Sequence, residues 1–221
     1  VLRASGCFER ILVSIESEQV LRVLPRLAAW LDSGELEVVP SRSNLADSVV
    51  AVGENMSDPL PLVITTADNV LHSADLVAAF VAGFRASEAA VTLGFTTEEV
   101  VKREFPESGL TFHHLRDAGY SSCNLYGIRS HAGLEAVRVF RTGGQFAKRQ
   151  WRILKAFGMM PFLLYKLKMT TGPALVARIG RNLGIKMEMI DLPYPEGPID
   201  VDNPTSFRVA EQVLRTRRTL V

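Results

Sequence analysis

Leu62-Val63-Ile64-Thr65-Thr66-Ala67-Asp68-Asn69 runs from an unbroken apolar, β-branched stretch straight into an Asp-Asn pair. Continuous apolar character predicts a strand buried on both faces. Asp68 then falls where that strand stops and a loop begins. In an open α/β sheet, ligands bind along that edge. A second acidic segment, Ile199-Asp200-Val201-Asp202-Asn203-Pro204, stands near the C-terminus in the same kind of position. Two carboxylates brought to one sheet edge, with a long basic stretch between them in sequence, point to a Mg²⁺ and phosphate site.

On either side of this strand the pattern alternates. Strands are expected at residues 11–15, 38–39, 61–65, 89–93, 110–115, 120–129 and 187–192. Helices are expected at 17–31, 44–52, 73–84, with Ser73 as N-cap, 97–105 and 205–216. Residues 133–183 read as mostly helical, broken at Gly143-Gly144, Gly158, Pro161 and Gly172-Pro173. Such alternation predicts an α/β fold with a mainly parallel sheet wrapped by helices. No repeat or linker divides the chain, so residues 1–221 read as one domain.

At 221 residues, 47% hydrophobic and 22% charged, the composition is that of a globular protein with a sizeable core. Two cysteines, Cys7 and Cys123, stand in no metal-ligand spacing, which predicts a reduced, cytoplasmic setting. Four histidines show no ligating pattern, which argues against zinc. The longest apolar run, 156–165, is too short to cross a bilayer. The chain starts without methionine and reads as the tail of a helix followed by a strand, so a truncated N-terminus is expected.

Charge is strongly segregated. From Ala136 through Met187 there is no Asp or Glu, while the same stretch carries Lys148, Arg149, Arg152, Lys166, Lys168, Arg178 and Arg181 among its cations. The positive field this creates suits a polyphosphate, a phosphorylated substrate or an anionic membrane surface.

Three segments together resemble the MobA-like nucleotidyltransferases (NTP transferases), which share a three-layer, Rossmann-like GT-A type fold. Val63-Ile64-Thr65-Thr66-Ala67-Asp68-Asn69 looks like that family's strand ending in a metal-binding aspartate. Leu45-Ala46-Asp47-Ser48-Val49 is similar to the helix start that holds the nucleotide base in cytidylyltransferases. Ile199-Asp200-Val201-Asp202-Asn203-Pro204-Thr205 looks like the late turn that supplies a second metal contact. The resemblance implies Mg²⁺ held by Asp68 and Asp202, with Asp200 as a further ligand, and catalysis resting on Asp68 and Asp202. It also implies substrate contacts from Ser48, Thr66, Asn124, Lys148 and Arg152. The family's glycine-rich, triphosphate-cradling loop would lie ahead of residue 1, in a unit of roughly 30 residues. Leu45 stands where cytidylyltransferases have an arginine, and Ser206 where the family has a second acid.

Each candidate has a plainer reading. Asp68 can close an Asx-turn, and Asp202 or Thr205 can cap the last helix. Ser48 can serve in ordinary capping, Asn124 can satisfy backbone groups, and Lys148 and Arg152 can form a solvated face. Cys123 reads as a buried small residue rather than a nucleophile. The segment from Phe157 to Met169 reads first as core or as a dimer interface, and second as a surface for lipid headgroups. The expected activity is Mg²⁺-dependent transfer of a nucleoside monophosphate from an NTP to a phosphorylated or hydroxylated small molecule, with no nucleic-acid partner. The alternatives are a GT-A glycosyltransferase, which lacks its D-x-D pair here because Asn69-Val70 follow Asp68, and a non-catalytic anion- or membrane-binding module on the same fold.

Overall fold

The computed structural model of the chain describes residues 1–139 and 158–219. β1 (Leu12–Ile15) and β2 (Glu37–Pro40) pair in parallel as a two-stranded sheet, joined by α1 (Glu18–Arg22) and α2 (Pro25–Asp32). The single helix expected over 17–31 is therefore two. Pro25 cannot donate the hydrogen bond a helix interior needs, but it opens a new helix well. It stands at the start of α2.

α3 (Leu45–Asn55) leads to β3 (Leu62–Thr65), α4 (Ala74–Ala86) to β4 (Val91–Thr97), and α5 (Glu98–Glu104) to the short β5 (His113–His114) and long β6 (Gly119–Ile128). α6 (His131–Val137), α7 (Met159–Lys166), α8 (Gly172–Asn182), β7 (Met187–Asp191) and α9 (Pro204–Thr219) complete the order. Three helices start as the sequence predicts: Asn44, Ser73 and Thr97 each accept from a first-turn backbone N–H, an arrangement contributing about 1 kcal/mol each.

The main sheet runs β3-β6-β4-β7, with β5 also on β6. β6 is antiparallel to β3, β4 and β5, whereas β7 is parallel to β4. So β3, β4, β5 and β7 share one direction and β6 runs against them. The α/β class holds, but within this sheet three of the four ladders are antiparallel, because the reversed β6 lies between β3 and β4.

Alternation along the strands separates the two faces of the sheet. Val63, Leu125 and Ile190 meet Leu76, Phe80 and Phe84 of α4 on one face. A Cβ on Gly94 would come within 3.2 Å of Phe80, so glycine lets α4 approach the sheet. On the other face Leu62 and Ile64 pack with Val49 of α3 and Leu134 of α6, while Leu93 and Met189 pack with Val176 and Ile179 of α8. Helices on both faces make three layers. β3 is only half-buried rather than enclosed. A fourth cluster, Leu71, Ile199 and Ala210 with Phe105, Val201 and Val209, lies beyond the strand ends and binds α9 to the rest. Among the described residues, no helix is long and apolar enough to cross a membrane.

Candidate active site

The loop after β3 and the segment before α9 are joined directly. The backbone N–H of Val201 donates to the Asp68 carbonyl over 3.1 Å. Ile199 is fully buried and Val201 packs in the same cluster. Between and beyond these two anchored residues, Asp200 is half-buried and Asp202 is exposed. The result is electrostatic. Burial first, then the neighbouring carboxylates of Asp202 and Asp68, hold the Asp200 carboxyl above the usual carboxylate range, against a hydrogen bond from the Asn124 side chain. Asp68 and Asp202 are themselves exposed.

The helix-capping roles open to the two aspartates go to other residues. Asn203 caps α9: its Oδ1 accepts from Thr205 N (2.9 Å) and Ser206 N (3.1 Å). Ser206 is buried, accepting from Asn203 N and donating to Asn203 O. Asp202 is thus not a capping group, and neither is Asp68, because Ser73 caps α4. The Asp68 carboxylate instead accepts from the Thr66 hydroxyl, whose oxygen lies 2.7 Å from Asn69 Oδ1. Thr66 therefore shapes the loop.

Asn124 is brought in by an irregularity the sequence does not announce. Between Leu93 and Phe95 the β4–β6 register shifts: Leu93 faces Tyr126 and Phe95 faces Ser122. The additional residues bulge from β6, and Asn124 takes φ 50°. Bulges re-aim side chains, and asparagine tolerates this left-handed conformation better than most residues. Asn124 Nδ2 donates to Asn69 Oδ1 at 2.8 Å, and the Tyr126 hydroxyl donates to Asn124 Oδ1 at 3.2 Å. The Asn124 amide is thus engaged by Asn69 and Tyr126 beside the acidic cluster rather than free.

His72 was missed in sequence. It is buried, with Nε2 3.1 Å from the Gly197 carbonyl. Burial pushes its pKa down, so the ring is neutral and donates to that carbonyl. The loop after β3 is tied in this way to the turn before Asp200. Cys123 is buried and burial pushes its thiol up, as a packing residue requires.

The remaining candidates stand elsewhere. Ser48 is buried; its Oγ accepts from Arg42 N (2.8 Å) and donates to Asn44 O (3.0 Å), so its hydroxyl is consumed within its own loop. Lys148 and Arg152 lie outside the described residues. The three-carboxylate metal set expected from the sequence is not formed: among the described residues no three His, Cys, Asp or Glu side chains are placed to hold a metal. What lies near Asp200 are hard oxygen donors, the carboxylates of Asp202 and Asp68, close enough to raise its pKa. That chemistry fits Mg²⁺, which takes one or two carboxylates and completes its shell with substrate phosphate and water.

A mainly apolar cavity of about 270 Å³ opens on the α3 face of the sheet, with Asn44, Leu45, Ala46, Ile64 and Tyr126 in its wall.

No protein-family model matches the chain, and no curated protein does. The fold is similar to a solved structure described as a hypothetical transferase from Thermus thermophilus, with a TM-score of 0.63 and 24% identity, covering 76% of this chain and 71% of that one. The likeness is one of fold: a mixed α/β chain with a central sheet flanked by helices.

Proposed function

We propose that the protein is a nucleotidyltransferase that moves a nucleoside monophosphate from an NTP to a phosphorylated or hydroxylated small molecule, releasing pyrophosphate. The observation that carries this reading is the junction of the Asp68 and Asp200–Asp202 segments through Val201 N–H···O=C Asp68. The Thermus structure described as a transferase is consistent with it.

Asp68 and Asp202 would hold Mg²⁺, which when bound supplies positive charge against the phosphate oxygens. An acceptor oxygen attacks the α-phosphorus. A new P–O bond forms, the bond to the β-bridging oxygen breaks, and its electron pair leaves with pyrophosphate; a hydroxyl acceptor also releases its proton to solvent. Such transfer depends on positioning and charge neutralisation more than on covalent chemistry. Asn124 ties the loop after β3 to β6 through Asn69, and His72 and Val201 hold that loop in register with the segment before α9. The cavity walled by Leu45 and Ala46 gives the base an apolar surface beside the segment that resembles a base-binding helix start.

The test is pyrophosphate release from each NTP with Mg²⁺ across a panel of sugar phosphates and polyols. Acceptor-dependent release is expected for one nucleotide; no release with any pair would end this reading.

A further inference from the structure

α7 shows its apolar side to solvent. Met159, Met160, Leu163 and Leu167 fall within about 100° of arc at 3.6 residues per turn, and their exposures are 74%, 53%, 46% and 56%. Met169 follows at 59%. The opposite side is the attached one: Pro161 is buried, and the Tyr165 hydroxyl lies 3.0 Å from His113 Nδ1 on β5. The core reading of this segment therefore fails for these side chains. A surface helix ordinarily buries such a stripe. Here no described residue covers it.

Beside the stripe lies a cavity of about 270 Å³ walled by Arg116, Arg178 and Arg181 together with Thr170 and Thr171. None of the three guanidinium groups pairs with a carboxylate among the described residues. Asp117, the nearest acid in sequence, accepts instead from Gly172 N (3.1 Å) and the Tyr120 hydroxyl (2.8 Å). Exposed Lys166 and Lys168 extend the positive charge, in a stretch that holds no acid from Ala136 to Met187.

We propose that α7 and α8 form a docking surface for an anionic phospholipid membrane. The Met and Leu side chains enter the interfacial layer, and the arginine cavity receives a lipid phosphate. Charge complementarity selects this occupant. A second copy of the chain would set one acid-free cationic surface against another, and a neutral apolar partner would leave the arginines unanswered. Apolar insertion with cationic flanks is the combination that holds interfacial helices on anionic bilayers.

The test is co-sedimentation of the full chain with vesicles of phosphatidylcholine alone or mixed with phosphatidylglycerol. Binding to the mixed vesicles only is expected, weakening with salt. Arg178→Ala and Arg181→Ala should each lower partitioning about fivefold, and Leu163→Asp with Leu167→Asp should abolish it while circular dichroism stays unchanged. Equal binding to neutral vesicles would overturn the proposal. So would indifference to these substitutions, a Leu163-dependent dimer without vesicle binding, or inorganic phosphate binding at the arginines without vesicle binding.

Discussion

Asp68 and Val201 are 133 positions apart in sequence, yet the Val201 N–H meets the Asp68 carbonyl at 3.1 Å. This contact sets the loop after β3 against the segment before α9, where the carboxylates of Asp202 and Asp68 both act on that of Asp200. Because it is a backbone contact, it depends on what holds the two strand ends together.

That support is the Leu71–Ile199–Ala210 cluster, in which Leu71 and Ile199 are fully buried. Ile199→Ala should cost about 2–5 kcal/mol, read as a lowered urea midpoint. Transfer activity should fall as well under conditions where the variant remains folded, because Asp200 and Asp202 lose their anchor. A stable variant with full activity would separate the cluster from the site.

Asn124 permits a cleaner separation of backbone from side chain. At φ 50° an alanine pays the left-handed penalty, about 1 kcal/mol, that glycine does not. Asn124→Gly should therefore be more stable than Asn124→Ala by about that amount in chemical denaturation. Both should lose activity, because both remove the amide that ties Asn69 to β6.

His72 gives stability a pH dependence of known sign. Burial lowers its folded pKa below the ordinary 6.5. In acid the unfolded chain therefore takes up a proton that the folded protein resists. The contribution is whole above about pH 6.5 and is lost as pH falls toward and through the folded value. Unfolding midpoints should drop on acidification, and His72→Gln should flatten that drop. A parallel curve for the variant would show that other groups are responsible.

Much of the fold was legible because its signals are local. The cap at Ser73, the helix starts near residues 44 and 97, the apolar strand before Asp68 and the alternation around it all rest on short-range chemistry. The junction of the two acidic segments was legible in part: Asp68 does end an apolar strand, whereas Asp200 and Asp202 follow a turn well beyond β7 and were paired with it through a resemblance. Non-local features were not legible. The reversal of β6 depends on pairing partners, the bulge at Asn124 on a register set across β4, and the neutral buried His72 on a carbonyl far along the chain. Pro25 was local and still passed over, because the apolar positions on either side of it share a helical period. Ser48 and Thr66 are expected from the sequence as substrate contacts, whereas the structure uses the Ser48 hydroxyl at the entry to α3 and the Thr66 hydroxyl inside its loop.

Pyrophosphate release by the Asp68→Asn variant, measured beside the unaltered protein with the same NTP, acceptor and Mg²⁺, tests the central claim most directly. The account predicts a loss of at least about a hundredfold in turnover, with the urea midpoint retained because Asp68 is exposed and its backbone carbonyl remains available to Val201. Turnover equal to that of the unaltered protein would contradict it.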